Sequence, residues 1–315
     1  VIPAPPSKNP GHSGIVTPGR LGYTLAAMPT TFTLGHSPDP DDAFMFYAMA
    51  KEKIDLHGYR FEHILQDIQT LNERATRGEL HISAISIHAY AYVLDRYALL
   101  PCGASMGDGY GPMLIATGRE GLPEDASDDE IRAWLKGKRI AVPGLMTSAW
   151  LALRLYLDEE PETVVVPFDE IFDHVRRGES PVGLIIHEGQ VTYARDGFRK
   201  IRDFGEWWKE ETGLPLPLGG NVIRKDLAPE LRRELSDILR ESVRYGLEHR
   251  AAGVAHAMPL ARDMDTELAD KFIGMYVNDY TLDYGEAGRE AIRLFLGRAA
   301  ERGLIPAPVE LEFVE

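Results

Sequence analysis

The run Gly183-Leu-Ile-Ile-His-Glu188 constrains the fold more than any other stretch, because three consecutive large apolar residues leave no period-two alternation. A strand with one wetted face alternates, whereas a strand covered on both faces does not, so Leu184, Ile185 and Ile186 read as a buried strand of a parallel α/β sheet. In open α/β sheets the carboxyl ends of the strands face the ligand crevice. His187 and Glu188 would therefore be delivered to that crevice. A hydrogen-bonded histidine that merely finishes a strand fits the same pattern, since buried polar groups normally find partners. On this segment alone the two readings stand level.

Strand and helix patterns alternate around it. Residues 31–35 read as a strand, 36–42 as a polar loop, and 43–54 as a helix capped by Asp41 or Asp42. Residues 61–65 and 80–85 are further strands, followed by helices at 69–77 and 87–96. A strand at 112–117 crosses into a second lobe, which holds strands at 139–142, 164–167 and 182–186 and helices at 128–135, 149–157 and 169–177. Residues 221–224 form the return strand. Beyond it the chain is mainly helical, over 229–250, 266–280 and 285–302, with Leu231, Leu235, Ile238, Leu239 and Leu247 on one face of the first. Two α/β lobes around a hinge are predicted, like a periplasmic binding protein: a larger one from 31–112 with 224–315, and a smaller one from 113–223. Residues 1–30, rich in Pro, Gly and Ser, read as a disordered leader or a start-site artefact, with Met28 a natural beginning.

Composition removes several function classes. Thirty-four basic against forty-nine acidic residues give a net charge of −15, which disfavours a nucleic-acid backbone or an anionic membrane as partner. No stretch approaches the roughly 18 apolar residues of a membrane helix. The single cysteine, Cys102, excludes an internal disulfide and a multi-cysteine metal site and fits a reducing, cytoplasmic compartment. His187-Glu188 is not the start of H-E-x-x-H, because Val191 occupies the last position. Asp39-Pro-Asp-Asp42 lacks the Gly and distal Glu of a calcium loop. Neither a P-loop nor G-x-G-x-x-G is present, so no metal or cofactor is called for. Gly103-Ala-Ser-Met-Gly107 matches the nucleophile-elbow string but lacks a following helix, which makes it a chance match.

Three segments share a local plan. Residues 36–42, Ser86 and 147–149 each follow a strand and open a helix, where unpaired N–H groups and the helix dipole attract anions. Thr147 and Ser148 thus suit a carboxylate or phosphate, although ordinary capping accounts for either one alone. Asn72 could reach the cleft or the surface. Trp207 and Trp208 read as packing residues rather than a stacking platform for a ligand.

Several separated motifs, in one order from about Thr31 to the end, resemble the 1,4-dihydroxy-6-naphthoate synthases of the futalosine route to menaquinone. They are Ser37-Pro-x-Pro-x-Asp-x-Phe44, Asp67-Ile-x-Thr-Leu-Asn72, Val142-Pro-Gly144, Gly183-Leu-Ile-Ile-His-Glu188 and the run from Trp207 to Gly219. The resemblance implies a type II periplasmic-binding-protein-like fold with a central cleft. It also implies a cofactor-free carbon–carbon lyase that acts on a small acidic molecule, cyclic dehypoxanthinyl futalosine. By the same resemblance His187 is the general base, and Ala84, Ile85, Ser86, Ser148 and Ala149 bind substrate; Thr147, Asn72 and Asp42 join them on the convergence argued above. Asp39 and Asp41 stand where family members carry Cys and Asn, and Ala84 where many carry Lys, which points to a divergent branch. Competing expectations are a chorismate dehydratase-like enzyme of the same pathway and a non-catalytic solute-binding protein. The motifs at 183–188 and 214–218 favour the synthase.

Overall fold

The computed structural model describes Val1, residues 30–262 and residues 264–315. The leader expected over residues 1–30 thus falls outside the described residues, apart from its two ends. Among the described residues, eleven strands form two sheets. The larger sheet contains β1 (Thr31–His36), β2 (Arg60–Leu65), β3 (Ile82–Ser86), β4 (Tyr97–Leu99), β5 (Ser105–Gly107) and β11 (Leu216–Arg224) in the order β2-β1-β3-β11-β4, with β5 also on β11. The smaller sheet contains β6 (Met113–Ala116), β7 (Ile140–Val142), β8 (Thr163–Val165), β9 (Val182–Ile185) and β10 (Arg199–Asp203) in the order β10-β6-β9-β7-β8. Helices pack on both, and C-terminal helices cover the larger sheet.

All four residues of β9 are buried, as the absence of alternation requires. The sheet is mixed rather than parallel: β9 runs parallel to β7 but antiparallel to β6. A side chain at Gly183 would place its Cβ 2.6 Å from Ile171 and 2.9 Å from Val175, so the helix Ile171–Arg176 can press onto β9 only over a glycine.

Three local expectations need correction. The helix expected over 43–54 is two short helices, Pro40–Met45 and Tyr47–Ala50, and the first is capped at Asp39 with Pro40 at its first position. The helix expected over 87–96 stops at Tyr90. The string at 103–107 ends in β5 with no helix after it, in keeping with a chance match. Finally, the return strand begins at Leu216, not Asn221, so residues 216–223, assigned above to the smaller lobe, pair within the larger sheet. Pro217 hid this strand, since proline is expected only where no ladder hydrogen bond is donated.

The chain passes between the sheets twice, around residues 107–113 and 203–216. These crossings touch through backbone: a Cβ on Gly205 would collide with the carbonyl of Tyr110, and one on Gly111 would lie 3.0 Å from the Gly205 nitrogen. Phe204 N–H donates to the Pro112 carbonyl at 2.9 Å. Asp203 Oδ1 accepts from Gly205 N–H at 2.8 Å and Glu206 N–H at 3.2 Å, which caps the helix Phe204–Thr212. On that helix Trp208 is fully buried and meets Phe295 edge-on at 5.4 Å, so the paired tryptophans belong to the core.

Candidate active site

A cavity of about 830 Å³ lies between the sheets. β3 brings Ala84, Ile85 and Ser86 to its wall, and antiparallel pairing sets Asn221 opposite Ala84 and Gly219 opposite Ser86 on β11. Thr147, Ser148 and Ala149 reach it from the start of the helix Ser148–Tyr156. The loop after β1 adds Ser37, Asp39, Asp41 and Asp42. Seven of the nine expected site residues therefore meet in one place. Asn72 and His187 are the two that do not.

The hydroxyls are already committed. Thr147 Oγ1 accepts from Trp150 N–H at 3.1 Å, the cap expected for it. Ser148 donates to the Leu218 carbonyl at 2.5 Å and accepts from His88 N–H at 3.1 Å, tying the helix start to the larger sheet. What this helix start leaves for a ligand is its first-turn backbone N–H groups, which have no carbonyl within the helix.

Asn72 is fully buried behind this wall. Its Oδ1 accepts from Ser86 N–H at 2.8 Å, and its Nδ2 donates to Ser86 Oγ at 2.9 Å and to the Met146 carbonyl at 3.3 Å. It holds the end of β3 and the loop before Thr147 together. The expectation of a ligand contact is corrected to a supporting one, because these bonds to Ser86 and Met146 engage its amide at full burial.

No Lys, Arg or His lines the main cavity among the described residues, while three carboxyls do. Burial raises all three above the ordinary carboxyl range. Asp42 is pushed up to about 7 by burial and by Asp39, against the pull of Ser37 N–H, which it accepts at 2.6 Å. Asp41 is raised well above its ordinary value, by burial and then by Asp42 and Asp39. For Asp39, burial and Glu188 push up, while the Ser37 hydroxyl at 2.5 Å, Arg262 and His187 pull down. Burial thus disfavours the charged form throughout the cluster, and a carboxyl that keeps its proton can donate as well as accept. His36, at the head of the same loop, points elsewhere: its Nε2 lies 3.0 Å from His63 Nδ1, and burial lowers it to about 4.

His187 faces an adjoining chamber of about 730 Å³ together with Glu188, Gly189 and Arg262. The strand ends at Ile185, so Ile186 still lines the main cavity and His187 turns to the next one. Its ring is buried against the edges of Phe168 and Phe172, 5.6 and 5.7 Å between centroids. Nδ1 accepts from Gly189 N–H at 2.9 Å, which leaves the neutral ring's proton on Nε2.

Reading the sequence missed Gln190, Asn221, Phe272 and Tyr276, all on the main cavity wall. Tyr276 donates to Gln190 Oε1, joining a C-terminal helix to the segment after His187. Nothing local marks these residues; three steps separating Gln190 from His187 was the one available signal. Asn221 is 1% exposed, its Nδ2 donates to the Gly103 carbonyl at 3.0 Å, and its Oδ1 has no partner.

Two α/β lobes closing on a polar cavity define a protein with the periplasmic-binding-protein-like fold. In that fold class, the alkanesulfonate-binding protein of Xanthomonas axonopodis gives a TM-score of 0.63 at 11% identity, over 90% of this chain and 96% of the other. Within it, the chain belongs to the menaquinone-biosynthesis family, which it matches over residues 32–301. A 1,4-dihydroxy-6-naphthoate synthase of Streptomyces coelicolor is 41% identical over 88% of this chain and 95% of its own length. The enzyme of the same name from Thermus thermophilus is 39% identical over 87% and 96%. A crystal structure from Archaeoglobus fulgidus is 42% identical with a TM-score of 0.80, covering 87% of this chain and 98% of that one.

Proposed function

We propose that the protein is a lyase with 1,4-dihydroxy-6-naphthoate synthase activity, acting on cyclic dehypoxanthinyl futalosine in the cytoplasm. The observation that carries this reading is that separate family motifs, at 37–44, 142–144 and 214–219, bound or adjoin one cavity large enough for a ligand of that size. The substrate carboxylate is assigned to the first-turn N–H groups at Ser148 and Ala149, where a helix start favours an anion and no carboxyl side chain belongs to the segment. Its uncharged hydroxyl groups are assigned to Asp39, Asp41 and Asp42, whose raised protonation would repel a carboxylate less than three full charges and still offers donors. His187 is assigned the proton removal that starts fragmentation. For that, Nδ1 must exchange its bond from Gly189 N–H, and the ring must turn toward Ile186 and the main cavity.

Mixing the purified protein with cyclic dehypoxanthinyl futalosine and following naphthoate by chromatography tests the reading, with His187→Asn alongside. Wild type is expected to form product, and His187→Asn to lose about 10²–10⁴-fold in kcat with an unchanged melting curve. Ligand binding without turnover would overturn the lyase assignment in favour of a solute-binding role. Retained activity in His187→Asn would remove that residue from the base role.

A further inference from the structure

Arg262 stands between the two chambers and makes contacts that the reaction, as assigned above, does not use. Its Nη1 lies 2.5 Å from Glu188 Oε1, next in sequence to His187, and its Nη2 lies 3.4 Å from Asp39 Oδ1 on the main cavity wall. The guanidinium also covers the face of Phe168 at 4.9 Å, and the edge of that ring packs on His187. Glu188 and Phe168 flank β9 and belong to the side of the smaller sheet; Asp39 belongs to the larger. One side chain therefore ties the two sides of the cleft together and touches both Phe168, which packs on the imidazole, and Glu188, the residue after it in sequence.

Two further observations set this contact apart from an ordinary surface pair. The side chains of Glu188 and Asp39 are only 11% and 20% exposed, so both contacts with Arg262 are largely shielded from water. Asp39 Oδ1 and Glu188 Oε2 are buried acceptors without a hydrogen-bond partner of their own. Arg262 is the cation set beside both, so without it two like-charged carboxyl groups would act on each other with no cation between them.

We propose that Arg262 is a positioning residue that acts through Glu188 and Phe168 on His187, holding the imidazole in register with the Asp39 wall of the cavity. It touches no reacting atom; its effect is on where the ring stands. The proposal rests on the lyase reading above for its kinetic arm, and on the resting protein for its spectroscopic arm.

The test compares Arg262→Gln, Arg262→Lys, Glu188→Gln and the double variant Arg262→Gln/Glu188→Gln. With cyclic dehypoxanthinyl futalosine as substrate, Arg262→Gln is expected to lower kcat about 10- to 100-fold, as a misplaced reacting group does, with KM within about twofold of wild type. Glu188→Gln should match it, and the double variant should lose little more, because both act through one contact. Lysine can pair with one carboxylate but not span two, so Arg262→Lys should recover only part of kcat. A rise in KM with unchanged kcat, or additive losses, would overturn the proposal and leave Arg262 as a cleft-closing contact. The second arm needs no turnover: the imidazole resonances of His187, assigned by His187→Asn in histidine-labelled protein, should move or broaden in Arg262→Gln and Glu188→Gln. If they do not move, the proposal fails whatever the kinetics. If wild type forms no naphthoate but these resonances respond, the lyase reading fails and the positioning role stands. Should Arg262→Gln not fold, Glu188→Gln and Arg262→Lys decide by the same readouts.

Discussion

Ile186 and His187 are neighbours in sequence and face different chambers, and the two chambers are chemically unlike. The one that Ile186 lines has three carboxyls, backbone amides and apolar walls, and no basic side chain among the described residues. The one that His187 lines mixes Asp169, Asp173, Glu188 and Asp196 with Arg176, Arg195 and Arg262. The first can seat a ligand and hold protons on buried carboxyls; the second holds the residue assigned to take a proton. A chain built this way sets His187 in a chamber beside, and not within, the cavity lined by Ala84–Ser86 and Thr147–Ala149.

Gly189→Ala is the sharpest way to break that division. The added Cβ would sit 2.5 Å from His187 Cε1 and 2.7 Å from Phe172 Cζ, so the imidazole must leave its resting place. Turnover is expected to fall about 10- to 100-fold with KM little changed, read from steady-state rates. If the rate holds, the resting position of the ring does not matter. Asn72→Ala attacks the wall of the other chamber: Ser86 N–H loses its acceptor at full burial, and urea melts should show a loss of about 1–3 kcal/mol.

Asp42→Asn tests whether the first chamber stores protons. Folding lifts Asp42 from 3.8 to about 7, so over that interval the folded chain keeps a proton that the unfolded chain has released. The stability associated with the protonated group is therefore complete at low pH, declines as pH rises through the interval, and is fully lost above about 7. Asparagine does not titrate. Relative to wild type, Asp42→Asn should gain stability from about pH 4 to about pH 8, on the order of a few kcal/mol in unfolding free energy. A difference independent of pH would contradict a proton held at this carboxyl. The smallest effect is expected at Trp207→Phe, a buried packing residue outside both chambers, with kcat/KM within about twofold and a stability loss of about 1.5 kcal/mol or less.

Much of the first chamber was legible because strand ends and helix starts are local signals. Thr147 reads as a cap and is one, and Ala84–Ser86 stand at the end of a strand buried throughout. The cap at Asp39 was misplaced to Asp41 or Asp42, although Pro40 at the first helical position carried the information. The break at Phe46 was illegible: Ala43 to Met49 is buried all round, so no polar face marks where one helix stops. Tyr276 and Arg262 reach the site through the docking of C-terminal segments, and Gln190 meets Tyr276 there. That approach is a tertiary event, and helical periodicity in residues 266–280 says which face is apolar, not what it meets. His187 was legible as the polar end of a buried strand; its chamber was not, since one step past Ile186 reverses the direction in which a side chain points.

The contact between Gly111 and Gly205 has a mechanical consequence. Where two crossings of a chain press backbone on backbone, they act as one pin rather than two straps, and the easiest relative movement of the sheets is a turn about the line through that pin. Everything the smaller sheet carries, from the helix start at Ser148 to the ring at His187, then travels on one arc and keeps its spacing. A methyl group on either glycine would wedge the pin open and displace both ends of that arc at once, the larger effect falling at Gly205, where the Tyr110 carbonyl leaves no room.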